Sequence, residues 1–158
     1  FIEKQSPLTN SKGLMDYTCS IIGSSNGKSD TDIVLKVAVP ITSVCPCSKE
    51  ISEYGAHNQR GEVLVSTRFD KFIWIEEIVN LVEATASCDI FSVLKRQDEK
   101  FVTEKAYENP KFVEDIARDV AKELMADENI TWFSVSAENF ESIHNHSAYA
   151  YIEKPLIS

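Results

Sequence analysis

The sequence predicts an α+β domain in which two helices pack on one face of an antiparallel sheet. Three observations carry that expectation. Apolar residues alternate through several short segments, they recur at helical spacing in two consecutive longer ones, and the order is strand, strand, strand, helix, helix, strand, strand. At 158 residues the chain has the length of one domain, read as a single module over 1–158, and can bury a substantial core.

Residues 1–13 are polar, contain Pro7 and Gly13, and read as a leading segment without strand pattern. Met15 to Ile22 alternates well enough for a strand, and Gly23 to Asp30 reads as a turn. A clearer strand spans Thr31 to Thr42, with Ile33, Leu35, Val37 and Val39 on one face; Pro40 ends it or places it at an edge. A loop rich in polar and turn-forming residues follows. Strand patterning resumes at Gly61, putting Val63, Val65, Thr67 and Phe69 on one side.

From Phe72 to about Ser87, Ile75, Ile78, Val82 and Ala86 form an apolar stripe, opposed by a polar one of Glu76, Asn80 and Glu83. A second helix is expected from Pro110 to about Ala126, where apolar pairs recur at 112/113, 116/117, 120/121 and 124/125. Asn109 is its expected N-cap and Pro110 its first residue. Between the helices, the 16-residue charged connector Leu94 to Asn109 is too long for a mere link and reads as functional or disordered. Ile130 to Glu138 and Ser147 to Glu153 close the chain as strands.

A net charge of −9 excludes a surface built to coat duplex nucleic acid, which needs a basic face. No run approaches the length of a membrane span, and the first ten residues lack a signal-peptide layout. The chain begins with Phe, which suggests a processed product or a piece of a longer protein. The densest basic patch, Lys95, Arg96, Lys100 and Lys105, is interleaved with Asp98, Glu99 and Glu104 and reads as a solvated mixed face. Cys45 and Cys47 are too close for an easy disulfide and no secretory framework is visible, so a reducing cytoplasm is the expected compartment.

Three of the chain's four cysteines and three histidines fall within Val44 to Gly61, "VCPCSKEISEYGAHNQRG". Cys-x-Cys with a histidine ten residues on, in a loop between strands, suits a metal site. Spacing alone offers Cys45 or Cys47 together with His57 as ligands and leaves a third unidentified. Thiol and imidazole favour zinc or iron; a carboxylate would help admit manganese. Taken by itself, Glu99 reads as a surface carboxylate pairing with Lys95 or Lys100, and Glu114 as an i,i+4 partner of Arg118. His144 and His146 lie two apart, so on an extended segment they point the same way.

Three segments, "VPITSVCPCSKEISEYGAHNQRG", "LKRQDEKFVTEKAYENPKFVED" and "ESIHNHSAYA", closely resemble signature segments of the bacterial GTP cyclohydrolase type IB family. The likeness runs from about Ile33 to Ile152, in order and with matching separations. It implies the tunnelling fold, an antiparallel sheet with two helices on one side. It also implies that this chain corresponds to the C-terminal half of a two-module protein, cytoplasmic and homo-oligomeric, a tetramer in the family, with sites formed where subunits meet.

The activity the resemblance implies is conversion of GTP and water to dihydroneopterin triphosphate and formate, the first step of folate and pterin biosynthesis, with one divalent metal ion (zinc, manganese or iron). Cys45, His57 and Glu99 would hold the metal, and Cys47 would lie near it as a proton-transfer thiol, with the two cysteines able to exchange roles. Glu114 would accept hydrogen bonds from the N1–H and 2-amino group of guanine. His144, ranked first, and His146 would serve as general acid or base. Lys49, Arg60, Lys95 and Arg96 are the candidates for the triphosphate. The competing expectation is a non-catalytic metal- or purine-binding half-module that needs its missing partner. A thiol redox or metal-trafficking module explains neither "GAHNQRG" nor the late histidines, and nothing suggests the thioimide chemistry of a tunnelling-fold nitrile reductase.

Overall fold

The computed structural model describes residues 1–25, 27 and 31–155. Its elements are β1 (Ile2–Gln5), β2 (Lys12–Met15), β3 (Thr18–Ser25), β4 (Thr31–Val44), α1 (Pro46–Ile51), β5 (Asn58–Phe69), α2 (Ile75–Thr85), α3 (Arg96–Glu108), α4 (Val113–Ala126), β6 (Ile130–Phe140) and β7 (Ser147–Glu153). Strands β3 to β7 form a five-stranded antiparallel sheet in sequence order, and β1 pairs with β2 in a separate hairpin. Helices α2 and α4 cover one face of the large sheet, as the alternation predicts.

The core sits between that face and those helices. Val37, Val39 and Ile41 of β4, Val63 and Val65 of β5, and Phe133, Val135 and Ala137 of β6 meet Ile78 and Val82 of α2 and Ile116, Val120 and Leu124 of α4. Each fully buried large apolar side chain contributes about 1.5–3 kcal/mol relative to exposure. No helix among the described residues is long and apolar enough to cross a membrane.

Pro40 neither ends its strand nor sits on an edge strand. Pairing of β3 with β4 stops at Ala38, whereas β5 continues opposite Pro40 through Glu62. The strand therefore has one flank open at the residue that lacks an N–H, and a partner only where none is missed.

The leading segment is not featureless: it folds as the β1–β2 hairpin, and the third strand starts at Thr18 rather than Met15. Gly23 to Ser25 extend β3, while Asn26 and Lys28 to Asp30 of the expected turn lie outside the described residues. The hairpin is held by charge. Lys4 Nζ lies 2.7 Å from Glu83 and 3.3 Å from Asp89, Lys105 lies 3.1 Å from Asp89, and the Tyr17 hydroxyl donates to Glu83 at 2.8 Å. Glu83, expected on a solvated stripe, is thus buried under the hairpin. Burial, with the bond and charge of Glu83, pushes the Tyr17 phenol up. Burial works against the Asp89 carboxylate, but Lys4 and Lys105 hold it below its ordinary range.

The charged connector is helix α3. Of its 13 residues only Asp98 and Ala106 are buried, so it offers almost no apolar stripe. Its start is fastened by Asp98, which accepts from the backbone N–H groups of Lys95 at 3.0 Å and of Leu8 and Thr9 at 2.9 Å each. Asp98 therefore does not belong to the solvated face, although Arg96–Glu99 and Lys100–Glu104 pairs on the outer side do.

Asn109 is the C-cap of α3 rather than the N-cap of the next helix. Its N–H bonds to the Lys105 carbonyl at 3.2 Å, and its side-chain amide reaches the carbonyls of Ala86 at 3.0 Å and Ser87 at 3.4 Å. Pro110 bars continuation of α3, because the residue before a proline avoids helical torsions. The N-cap of α4 is Phe112.

Candidate active site

Antiparallel topology decides where the three motifs go. In the β5–β6 ladder Gly61 faces Asn139, so the beginning of β5 and the end of β6 share one end of the sheet. The β4–β5 connection with Cys45, Cys47 and His57 and the β6–β7 connection with His144 and His146 therefore project from the same end. The start of α4 joins them, because Lys111 N–H donates to the Val44 carbonyl at 3.1 Å.

Cys45 ends β4 and caps α1, a single short helix begun by Pro46. Its thiol sulfur accepts from the Ser48 N–H at 3.5 Å, and its own N–H donates to the His57 carbonyl at 3.1 Å. Ser48 closes the ring: its hydroxyl donates to the Cys45 carbonyl at 3.0 Å and accepts from the His57 N–H at 3.2 Å. Gly55, at φ 130°, supplies the left-handed conformation that returns the chain to β5. Cys45 and His57 are half-buried, while Cys47 is exposed on α1. All four cysteines are free thiols.

The two loops touch. His57 Nδ1 lies 2.9 Å from Ser142 Oγ, and Gln59 Nε2 approaches Glu141 at 3.5 Å. A shallow cavity of about 360 Å³ opens here, lined by Ser48, Ser52, Tyr54, Gly55, Ala56, His57 and Ile143. A second, of about 290 Å³, is lined by Phe140, Glu141, His144, Asn145, His146 and Ser147. His144 and His146 are exposed and stacked, with ring centroids 5.1 Å apart and planes at 23°. A larger cavity of about 470 Å³ lies between α2 and α4 and includes none of the candidate residues.

Glu114 stands exposed in the first turn of α4. Arg118 does not pair with it; the guanidinium takes Asp115 at 2.7 Å, and Glu114 joins no ion pair among the described residues. Glu99 pairs with Arg96 at 3.1 Å, not with Lys95 or Lys100, the latter being bound to Glu104 at 2.6 Å.

Other candidates stand apart. α3 meets α1 through its far end, where Lys49 Nζ donates to the Tyr107 carbonyl at 2.6 Å and lies 4.4 Å over its ring. Glu99, with Lys95 and Arg96, is eight residues before Tyr107, about 12 Å along the helix axis. Among the described residues no three Cys, His, Asp or Glu side chains gather at ligating separation. Arg60 lines a different cavity of about 360 Å³ with Asp16, Ala38, Pro40, Glu62 and Phe91.

The organising residues that sequence reasoning passed over are Ser48, Ser142, Gln59 and Asp98. Ser142 lay inside a quoted motif, but nothing local marks a serine whose partner is 85 residues away.

A family model described as type I GTP cyclohydrolase folE2 matches residues 1–150. The chain is 64% identical over 154 residues to a GTP cyclohydrolase FolE2 of Syntrophobacter fumaroxidans, covering 98% of this chain and 60% of that protein. It is 64% identical over 152 residues to that of Desulfosudis oleivorans (96% and 58%), and 61% over 153 to that of Magnetococcus marinus (97% and 57%). The chain thus spans a little under two thirds of the length of the curated relatives it matches. The match runs through all three motif segments, including the two loops that meet at His57 and Ser142 and the helix start carrying Glu114, and on that ground the chain belongs to the type I GTP cyclohydrolase FolE2 family.

Proposed function

We propose that this chain carries the catalytic residues of a GTP cyclohydrolase that converts GTP and water to dihydroneopterin triphosphate and formate. In this reading it is the C-terminal tunnelling-fold module of a type IB, homo-oligomeric enzyme. The observation that supports it most is the meeting of the Cys45–His57 loop with the His144–His146 loop at one end of the sheet, through His57 and Ser142.

Glu114 orients the substrate. Its carboxylate accepts from the N1–H and 2-amino group of guanine, and no guanidinium competes for it, since Arg118 is bound to Asp115. His144 delivers a proton to N7 of the guanine as water adds at C8, and His146, stacked against it, takes up the proton that water gives up. The exposed Cys47 thiol is a further proton-transfer group on the same loop.

The donor set suits a divalent metal in part. Cys45 and His57, clasped through their backbones, offer the thiolate and imidazole that zinc or iron favours. Glu99 would complete the set, and since it stands beside Arg96 on the remote end of α3, it must be supplied by a shift of α3 or by a second copy of the chain. When bound, the metal supplies a Lewis acid that lowers the pKa of a water beside C8. Lys49 is engaged at Tyr107 and Arg60 lines another cavity, so the triphosphate draws on Lys95, Arg96 and Arg60 across the same subunit boundary.

The absence of three converging donors among the described residues also favours a second reading, a half-module inactive without the remainder of the longer relatives. Turnover of GTP by the 158-residue chain loaded with zinc or manganese, following formate and pterin fluorescence, separates the two. Turnover lost in Cys45→Ala supports catalysis by this chain. Metal bound without turnover supports the half-module. Neither metal nor turnover overturns both. Full metal occupancy in Cys45→Ala with loss in Cys47→Ala reverses the roles of the two thiols.

A further inference from the structure

We infer that Ser142 is the positioning residue that sets the tautomer of His57, leaving Nε2 as the open nitrogen. The inference deepens the metal-site reading and rests on it only for what Nε2 would hold.

The backbone of His57 is pinned on both sides, with its N–H on the Ser48 hydroxyl at 3.2 Å and its carbonyl on the Cys45 N–H at 3.1 Å. What remains free is the orientation and protonation of the ring. Nδ1 has one partner, Ser142 Oγ at 2.9 Å, and Nε2 has none among the described residues. A neutral imidazole carries a single N–H, and the contact of one nitrogen decides the state of the other. With Nδ1–H donating to Ser142 Oγ, Nε2 keeps its lone pair and faces away from the contact. A hydroxyl can accept in this way because it is exposed and can give its own hydrogen to water. Loss of the acceptor returns the ring to the Nε2–H form that a free imidazole prefers, which closes the lone pair to a ligand.

The placement of Ser142 adds a coupling. It lies two residues before His144 in a short loop whose ends are tied by the Phe140–Ser147 pair. The loop that carries the stacked histidines is therefore the one that aims His57.

The test is long-range ¹H–¹⁵N correlation on histidine-labelled, metal-free chain at a pH where the imidazole is neutral, with His144→Gln and His146→Gln for assignment. His57 should be the Nδ1–H tautomer in the wild type and in Ser142→Thr, and should move to Nε2–H in Ser142→Ala. Co²⁺ titration followed by visible absorption should show affinity lowered about 10–100-fold in Ser142→Ala and retained in Ser142→Thr. A wild-type Nε2–H tautomer, or no change in Ser142→Ala, overturns the inference whatever the metal does. The expected tautomer shift with no Co²⁺ bound by the wild type supports Ser142 as the positioning residue and overturns the metal reading instead.

Discussion

The carboxylate of Asp98, 0% exposed, is joined to the hydroxyl of Thr9 at 2.5 Å across 89 residues of sequence. With the backbone bonds from Lys95, Leu8 and Thr9 it locks the N-terminal hairpin to the start of α3. Burial opposes the charge, but these donors outweigh it and hold the carboxyl well below the usual carboxylate range. Because the folded pKa is depressed, the stabilisation is fully present above the unfolded value near 3.8 and is lost as pH falls toward the folded one. Asp98→Asn should therefore lower the urea midpoint at neutral pH, and the gap to wild type should narrow by about pH 2.5. A gap that stays constant with pH would remove Asp98 as the source.

Lys4 bridges two carboxylates, with side-chain exposures of 15% for Lys4 and 9% for Glu83. Lys4→Met leaves Glu83 and Asp89 facing each other without a cation on that side, a loss of about 3 kcal/mol. Adding Glu83→Gln should recover part of it. Equilibrium unfolding measures the cost. Limited proteolysis should show cleavage near residues 1–15 well before cleavage of the sheet.

Gly61 admits no side chain. A Cβ there would lie 2.5 Å from Asn139 Oδ1 and 2.7 Å from the Glu138 carbonyl oxygen. The first obstacle can swing away; the second is backbone of the neighbouring strand. Gly61→Ala should cost about 1–3 kcal/mol, and Asn139→Ala should not rescue it. Full rescue in the double variant would mean that the amide alone sets the limit.

Glu114→Gln should leave the fold and thermal unfolding unchanged while raising the Michaelis constant for GTP strongly, because a buried two-point contact to guanine is broken. Arg118→Ala should leave kinetics unchanged, since Arg118 is engaged by Asp115. Steady-state kinetics of the two variants check both statements, and an unaltered Michaelis constant in Glu114→Gln would return that carboxylate to the solvated face.

Strands β4 to β7 and helices α2 and α4 were readable because each buries a regular stripe, and periodicity records that directly. The β1–β2 hairpin and α3 were not. α3 buries only Asp98 and Ala106, and what orders it is a carboxylate reaching into a turn 89 residues earlier. Missing α3 also misplaced Asn109, whose side chain reads as a helix start until the helix before it is known to end there. Glu83 looked solvated because its cover, Lys4 and Tyr17, comes from other parts of the chain.

By itself the sequence determined which chemical groups this protein owns, which segments carry them, and that those segments alternate as strands or wind as helices. It placed the thiols and imidazoles in two loops and a free-standing carboxylate at a helix start. Only the tertiary structure decided which groups meet: His57 with Ser142, Lys49 with Tyr107, Arg118 with Asp115, and Glu99 with Arg96 rather than with the Cys45 loop. The reason is physical. Apolar periodicity reports the burial of each residue against water, one position at a time, whereas a hydrogen bond between distant residues exists only once strand register and helix docking have brought both ends to within a few ångströms.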